Sequence, residues 1–159
     1  MLVFLVAVFV FVLDRMTKLL ALKYLKGNVI EVVPGFFRLI YAENKGAAFS
    51  LFSSFSGIGR FVFLILVPLI VIAGIIYVLI YRKELSFIER ISFSLILGGA
   101  AGNLYDRVVY GKVIDFLDFY IGKYHWPAFN VADIAVFLGT VALFLYYFLK
   151  SSREDNVIQ

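Results

Sequence analysis

The sequence predicts an all-α integral membrane protein: four transmembrane helices, with a small β-hairpin and a second long loop on one face. Three observations carry that expectation. Of 159 residues, 63% are hydrophobic and 16% charged, and mean hydropathy is +0.97, whereas a soluble domain is roughly half apolar and a quarter charged. Uncharged runs reach the ~20 residues that a helix rising about 1.5 Å per residue needs to cross about 30 Å of hydrocarbon. The polar residues that interrupt the apolar sequence fall into a few tight clusters.

Composition also removes whole classes of function. With no cysteine there is no disulfide scaffold, thiolate nucleophile or Cys-held metal, and the single His125 cannot build a multi-histidine zinc site. The net charge of +4 comes from 15 scattered basic residues, so it reads as loop and interfacial charge and not as a nucleic-acid surface.

The first span is expected from Leu2 to about Tyr24, with Asp14, Arg15 and Lys18 past its middle. It lacks the basic start and small-residue cleavage site of a cleaved leader. Asp14 and Lys18, four apart, share a face in the favourable order for an ion pair. A long connection, 25–56, follows; its VIEVVPGFFRLIY run places two β-prone segments around Pro34-Gly35 and predicts a hairpin. The second span, Phe61 to Tyr81, is free of charge, and Pro68 within it is expected to kink the helix. The third, 87–104, is the weakest, but it is rich in small residues, with Gly98 and Gly102 spaced for close helix approach. A second loop, 105–128, carries Tyr120, Tyr124 and Trp126, residue types suited to a membrane interface, and the fourth span runs over 129–149. No repeat or domain boundary interrupts the chain, so 1–159 is expected to be one membrane domain. The short loop with Arg82, Lys83 and Arg90 leans cytoplasmic by charge density, but total loop charge leaves orientation open.

Ionisable groups at membrane depth are costly and call for a reason. Here they cluster as DRMTK (14–18), ENKGAAF (43–49), GGAAGNLYDR (98–107), VIDF (113–116) and FNVAD (129–133). Four spans bring every cluster toward the face carrying the long loops, which points to one polar site. Serine catalysis lacks a base and a motif, and no spacing suggests a metal. A carboxylate pair fits better: two acids in one site do not both ionise easily, so one keeps a proton while the other can take one from water. Asp14, Asp106, Asp115, Asp118 and Asp133 are the candidates. Each has a plainer explanation. Asp14 can simply pair with Lys18, Asp106 and Arg107 can form an exposed ion pair, and Asp118 can be a solvated loop acid. Asn130 can cap a helix whose first turn holds Asp133, which favours an ionised Asp133 and leaves Asp115 to hold the shared proton. Composition alone leaves a catalytic pair and ordinary capping both open.

In this order and on this four-span plan, the clusters resemble the lipoprotein signal peptidases, or signal peptidase II. The resemblance runs from Asp14 to about Leu149. NxGAAF alone is weak, while GGAxGNxxDR followed by VxDF and FNxAD is specific; Arg15, Tyr105 and Ile134 depart mildly from the common pattern. It implies an intramembrane aspartyl endopeptidase of the bacterial plasma membrane, both termini cytoplasmic and the site near the extracytoplasmic face. Its substrate would be a prolipoprotein carrying diacylglyceryl on the lipobox cysteine, cut just before that cysteine. Asp115 and Asp133 match the catalytic pair; Asn44, Asn103, Arg107 and Asn130 match residues that bind substrate; Asp14, Lys18, Asp106 and Gly46 match supports of the fold. No cofactor, metal or obligate protein partner is implied beyond substrate and membrane lipid. The alternative is a small four-helix transporter or proton relay using the same carboxylates, but a relay needs polar groups through the full thickness, and the second and fourth spans have none at mid-depth.

Overall fold

A computed structural model describes residues 2–46 and 57–157. Helix α1 (Leu2–Tyr24) lies against α4 (Phe87–Tyr110), and α5 (Val131–Val157) packs on both. Between them in sequence, α2 (Gly57–Phe61) runs through a π-helical turn (Val62–Leu66) into α3 (Val67–Tyr81), which touches mainly α4. The expected disturbance at Pro68 takes this form. Proline has no N–H to return to the carbonyl four residues back, and the wider turn just before it absorbs the mismatch.

The α1–α4–α5 core is built from small residues. A Cβ on Gly98 would lie 2.5 Å from the Ala7 carbonyl oxygen, and one on Gly99 would overlap the Ala132 carbonyl oxygen. So α4 meets α1 through the predicted Gly98/Gly102 face and α5 through Gly99, a contact the Gly98/Gly102 spacing did not announce. Large apolar side chains point outward instead: Phe4, Phe9, Ile70, Tyr77, Phe137 and Phe144 are exposed, while Asp14 and Lys18 are 0% exposed. This inverted distribution suits lipid and not water. Two helical segments, Gly57–Tyr81 and Val131–Ser152, are long and apolar enough to cross a membrane.

Helix ends follow local chemistry. Helix α4 starts at the expected Phe87, capped by Ser86, a box the sequence reading did not name: the Ser86 hydroxyl accepts from the Glu89 N–H at 3.2 Å, and the Glu89 carboxylate accepts from the Ser86 N–H at 2.8 Å. At the other end α4 continues six residues past the expected Leu104, stopping at Tyr110 before Gly111.

The hairpin forms as predicted, β1 (Ile30–Val33) and β2 (Phe37–Asn44), with Pro34 and Gly35 (φ +77°) at the turn and Phe36 N–H bonded to the Val33 carbonyl. The second connection is not the loop expected. It contains β3 (Val113–Ile121) and β4 (Tyr124–His125), completing an antiparallel sheet in the order β1-β2-β3-β4. Strand β3 is flanked on both sides and buries residues of both parities, Asp115, Phe116 and Asp118 among them, so no polar/apolar alternation marked it. The sheet seats on the end of α1, where Ala21 and Leu25 pack with Phe116.

Candidate active site

Asn130 stands at the N-terminus of α5 as the sequence proposed. Its Oδ1 accepts from the Asp133 N–H at 3.0 Å, and Asp133 Oδ2 accepts from the Asn130 N–H at 3.1 Å, a reciprocal capping box. That capping leaves the Asn130 amide nitrogen available, and it donates to Asp115 Oδ1 at 2.6 Å. One asparagine thus touches both carboxylates, from segments 18 positions apart. Asp115 Oδ2 accepts from Asn44 Nδ2 of β2 at 2.9 Å, and Asp133 Oδ1 accepts from Asn103 Nδ2 of α4 at 2.8 Å.

Asp115 is buried, and burial pushes its carboxyl up to about 6, assisted by the charge of Asp133 and opposed by the hydrogen bonds from Asn44 and Asn130 and by Lys18. Those bonds to the ionised form keep it from rising further.

Behind the pair, the Lys18 ammonium donates to Asp14 Oδ2 at 2.7 Å and to Asn103 Oδ1 at 2.8 Å, and forms an ion pair with Asp106 Oδ2 at 2.8 Å. Asp14 forms the predicted pair with Lys18 and also reaches α5, its Oδ1 accepting from the Ala132 N–H at 3.0 Å. Gly102 permits this: a Cβ there would sit 2.5 Å from Asp14 Oδ2. Two expectations are corrected here. Asp106 forms no exposed pair with Arg107 among the described residues; it is 1% exposed and is held by Arg15 and Lys18. Asp118 is not a solvated loop acid; it is 2% exposed, accepting from Arg38 Nε at 2.6 Å and lying 3.0 Å from His125 Nδ1. Both acids sit on segments whose neighbours come from distant sequence, which local pattern does not reveal.

Arg107 Nη2 donates to the Gly46 carbonyl at 3.2 Å, and Gly46 N–H donates to Asn44 Oδ1 at 2.9 Å, so the glycine ties the arginine to the Asn44 corner. The buried Nε of Arg107 has no hydrogen-bond partner among the described residues. Ala47, Ala48 and Phe49 of the same motif lie outside those residues. A cavity of about 500 Å³ opens beside this cluster, between Phe63, Leu64 and Val67 on one side and Ala100, Val136 and Phe137 on the other; Asn103, Arg107 and Asp133 form its polar end. Sequence reasoning missed Arg15 as a partner of Asp106, having noted it as a charge within the first span and a departure from the common pattern.

Two carboxylates steadied by amides, one of them, Asp133, at the polar end of an apolar groove, suit hydrolysis of a substrate with an apolar segment. Solved structures share the architecture. One, of a bacterial membrane enzyme determined by the in meso method at 2.3 Å resolution, is 31% identical with a TM-score of 0.84, covering 95% of this chain and 90% of that one. The fold is therefore that of a bacterial membrane enzyme. The family model described as signal peptidase (SPase) II matches residues 6–149. The lipoprotein signal peptidase of Sulfurihydrogenibium sp. (strain YO3AOP1) is 45% identical over 92% of this chain and 91% of its own length. That of Clostridium novyi (strain NT) is 45% identical over 89% and 94%. The chain belongs to the signal peptidase II family.

Proposed function

We propose that Asp115 and Asp133 are the catalytic pair with which this protease removes signal peptides from prolipoproteins, cutting before a diacylglyceryl-modified cysteine. The observation that carries the assignment is Asn130, which donates to both carboxylates from one side chain and its own backbone. With one proton between them, the ionised acid takes a proton from water, whose oxygen attacks the scissile carbonyl carbon. The C–N bond then breaks as the protonated acid passes its proton to the leaving amine. The Nε of Arg107, without a partner among the described residues, is a donor for a substrate carbonyl or the developing oxyanion. No cofactor enters these steps.

Four helices spanning the membrane, both termini cytoplasmic, would put this site at the extracytoplasmic surface, with the whole chain as one membrane domain. Two observations support that layout: the outward large apolar side chains of α1 and α3–α5, and the gathering of Asp14, Asn103, Asp115 and Asp133 toward the sheet end of the helices. A lipidated cysteine keeps its acyl chains in lipid and its peptide bond near the headgroups, at the depth of that site. The apolar groove would take the signal helix. A transmembrane relay is not favoured, because the described residues bury just one acid at the opposite helix ends, Glu89, bonded to Tyr147 at 2.5 Å.

The test is cleavage of a synthetic prolipoprotein, with and without diacylglyceryl, by purified protein in detergent. Asp115→Asn and Asp133→Asn should each lower turnover by roughly a thousandfold or more without loss of folded protein. Near-normal turnover by either variant would remove the pair. In the free enzyme, loss of the shared proton is governed by an acid lifted to about 6. The kcat/KM profile should therefore fall as pH rises above that value, the reverse of a histidine-dependent hydrolase.

A further inference from the structure

Arg15 lies on α1 with its guanidinium on Asp106 Oδ1, its Nη2 3.5 Å from the Tyr110 hydroxyl, and its centre 4.8 and 5.4 Å from the rings of Tyr105 and Tyr110. Its side chain is 14% exposed, whereas Asp14, Lys18 and Asp106 are at most 1% exposed. These four groups form a closed charge set, two acids and two bases, buried directly behind Asn103. We infer that Arg15 is a positioning residue for the carboxylate pair, acting through Asp106, Lys18 and Asn103. This inference rests on the assignment of Asp115 and Asp133 above.

The chain of contacts is continuous. Arg15 neutralises Asp106, so the Lys18 ammonium, placed between two carboxylates, is not drawn wholly to them and keeps a donor on Asn103 Oδ1. That bond fixes which end of the Asn103 amide faces the site: oxygen to Lys18, nitrogen to Asp133 Oδ1 at 2.8 Å. Without Arg15 the set would carry a net negative charge in a low-dielectric place, close to two acids that must share a proton. The charged groups facing the pair are Asp14 and Lys18 from α1 and Asp106 and Arg107 from α4. From β2 the contact is the neutral Asn44, while Glu43 is turned to Lys112 and Tyr41. Tyr105 and Tyr110 set their rings within 4.8 and 5.4 Å of the guanidinium centre, and the Tyr110 hydroxyl accepts from Nη2, so a lysine would keep the charge but lose part of this contact.

The test is the kcat/KM–pH profile of four proteins on a diacylglyceryl prolipoprotein: wild type, Arg15→Gln, Asp106→Asn and the double variant. Removing the positive charge should move both limbs up by about half to one pH unit, and removing the negative charge should move both down. The double variant, again balanced, should return to the wild-type profile, with KM changed less than twofold throughout. Opposite shifts that cancel cannot arise from loosened packing. Arg15→Gln and Asp106→Asn profiles that superimpose on wild type, or fall uniformly at all pH with a lowered Tm, would overturn the inference. If wild type itself does not cleave, the functional assignment fails first and is told apart by that control.

Discussion

The α1–α4–α5 unit and the α2–α3 arm use similar apolar residues to opposite ends. In the first, glycines let backbones touch, and the space between helices is filled by Asp14, Lys18, Asn103 and Asp106, with every polar contact internal. In the second, Leu64 and Ile75 are the buried large side chains among the described residues, and the groove of about 500 Å³ remains along one flank. One half carries Asp133 and, through Asn130 at the start of α5, fixes Asp115 of β3 beside it; the other leaves room for something long and apolar. Preorganisation of reacting groups beside an accommodating wall is what a peptidase for many signal helices requires.

Disturbing the rigid half should have the largest effect. Gly102→Val adds a branched side chain whose Cβ alone would lie 2.5 Å from Asp14 Oδ2, expelling a carboxylate that bonds both Lys18 and the first turn of α5. Leaving a buried charge uncompensated costs about 3–5 kcal/mol, so the variant should lose both cleavage and its cooperative thermal transition in detergent. Intact unfolding with normal activity would show that the α1–α4 contact is less tight than the geometry requires.

Filling the groove should separate the two halves. Val67→Trp, on the wall opposite Ala100 and Val136, adds bulk where the arm is already loosely packed. KM should rise about tenfold, equivalent to roughly 1.4 kcal/mol, with Tm within a degree or two and kcat little changed. A fall in kcat at constant KM would mean that the groove shapes the reacting geometry and does not merely seat the substrate.

The sequence disclosed these halves unequally. Apolar runs, the Asn130 cap, the Pro34-Gly35 turn and the Asp14–Lys18 spacing are local signals, and each lies where expected. Strand β3 was not visible because burial on both faces erases the alternation that marks a strand. Arg15 was not visible because its partners sit about 90 residues away on α4. The candidate acids could be named from motif order, but their sharing of Asn130 depends on β3 crossing the N-terminus of α5, which no spacing encodes.

The face of the sheet that carries Asp118 offers the mildest test, because it lies across β3 from Asp115. Asp118 is held by Arg38 and His125, the latter with 38% of its side chain exposed. Arg38→Gln leaves a buried carboxylate with its weaker partner and should cost about 1–3 kcal/mol, read as a lowered Tm. His125→Gln removes a partly solvated contact and should cost about 0.5 kcal/mol or less. Neither should change kcat of the folded protein, since Asp118 and Asp115 lie three residues apart on opposite faces of β3 and Asp115 keeps Asn44 and Asn130. If Arg38→Gln instead lowered kcat with Tm preserved, the strand would be transmitting strain from one face to the other. The Asp118 face would then count as part of the catalytic framework, together with the Asp115 face and the close-packed helices.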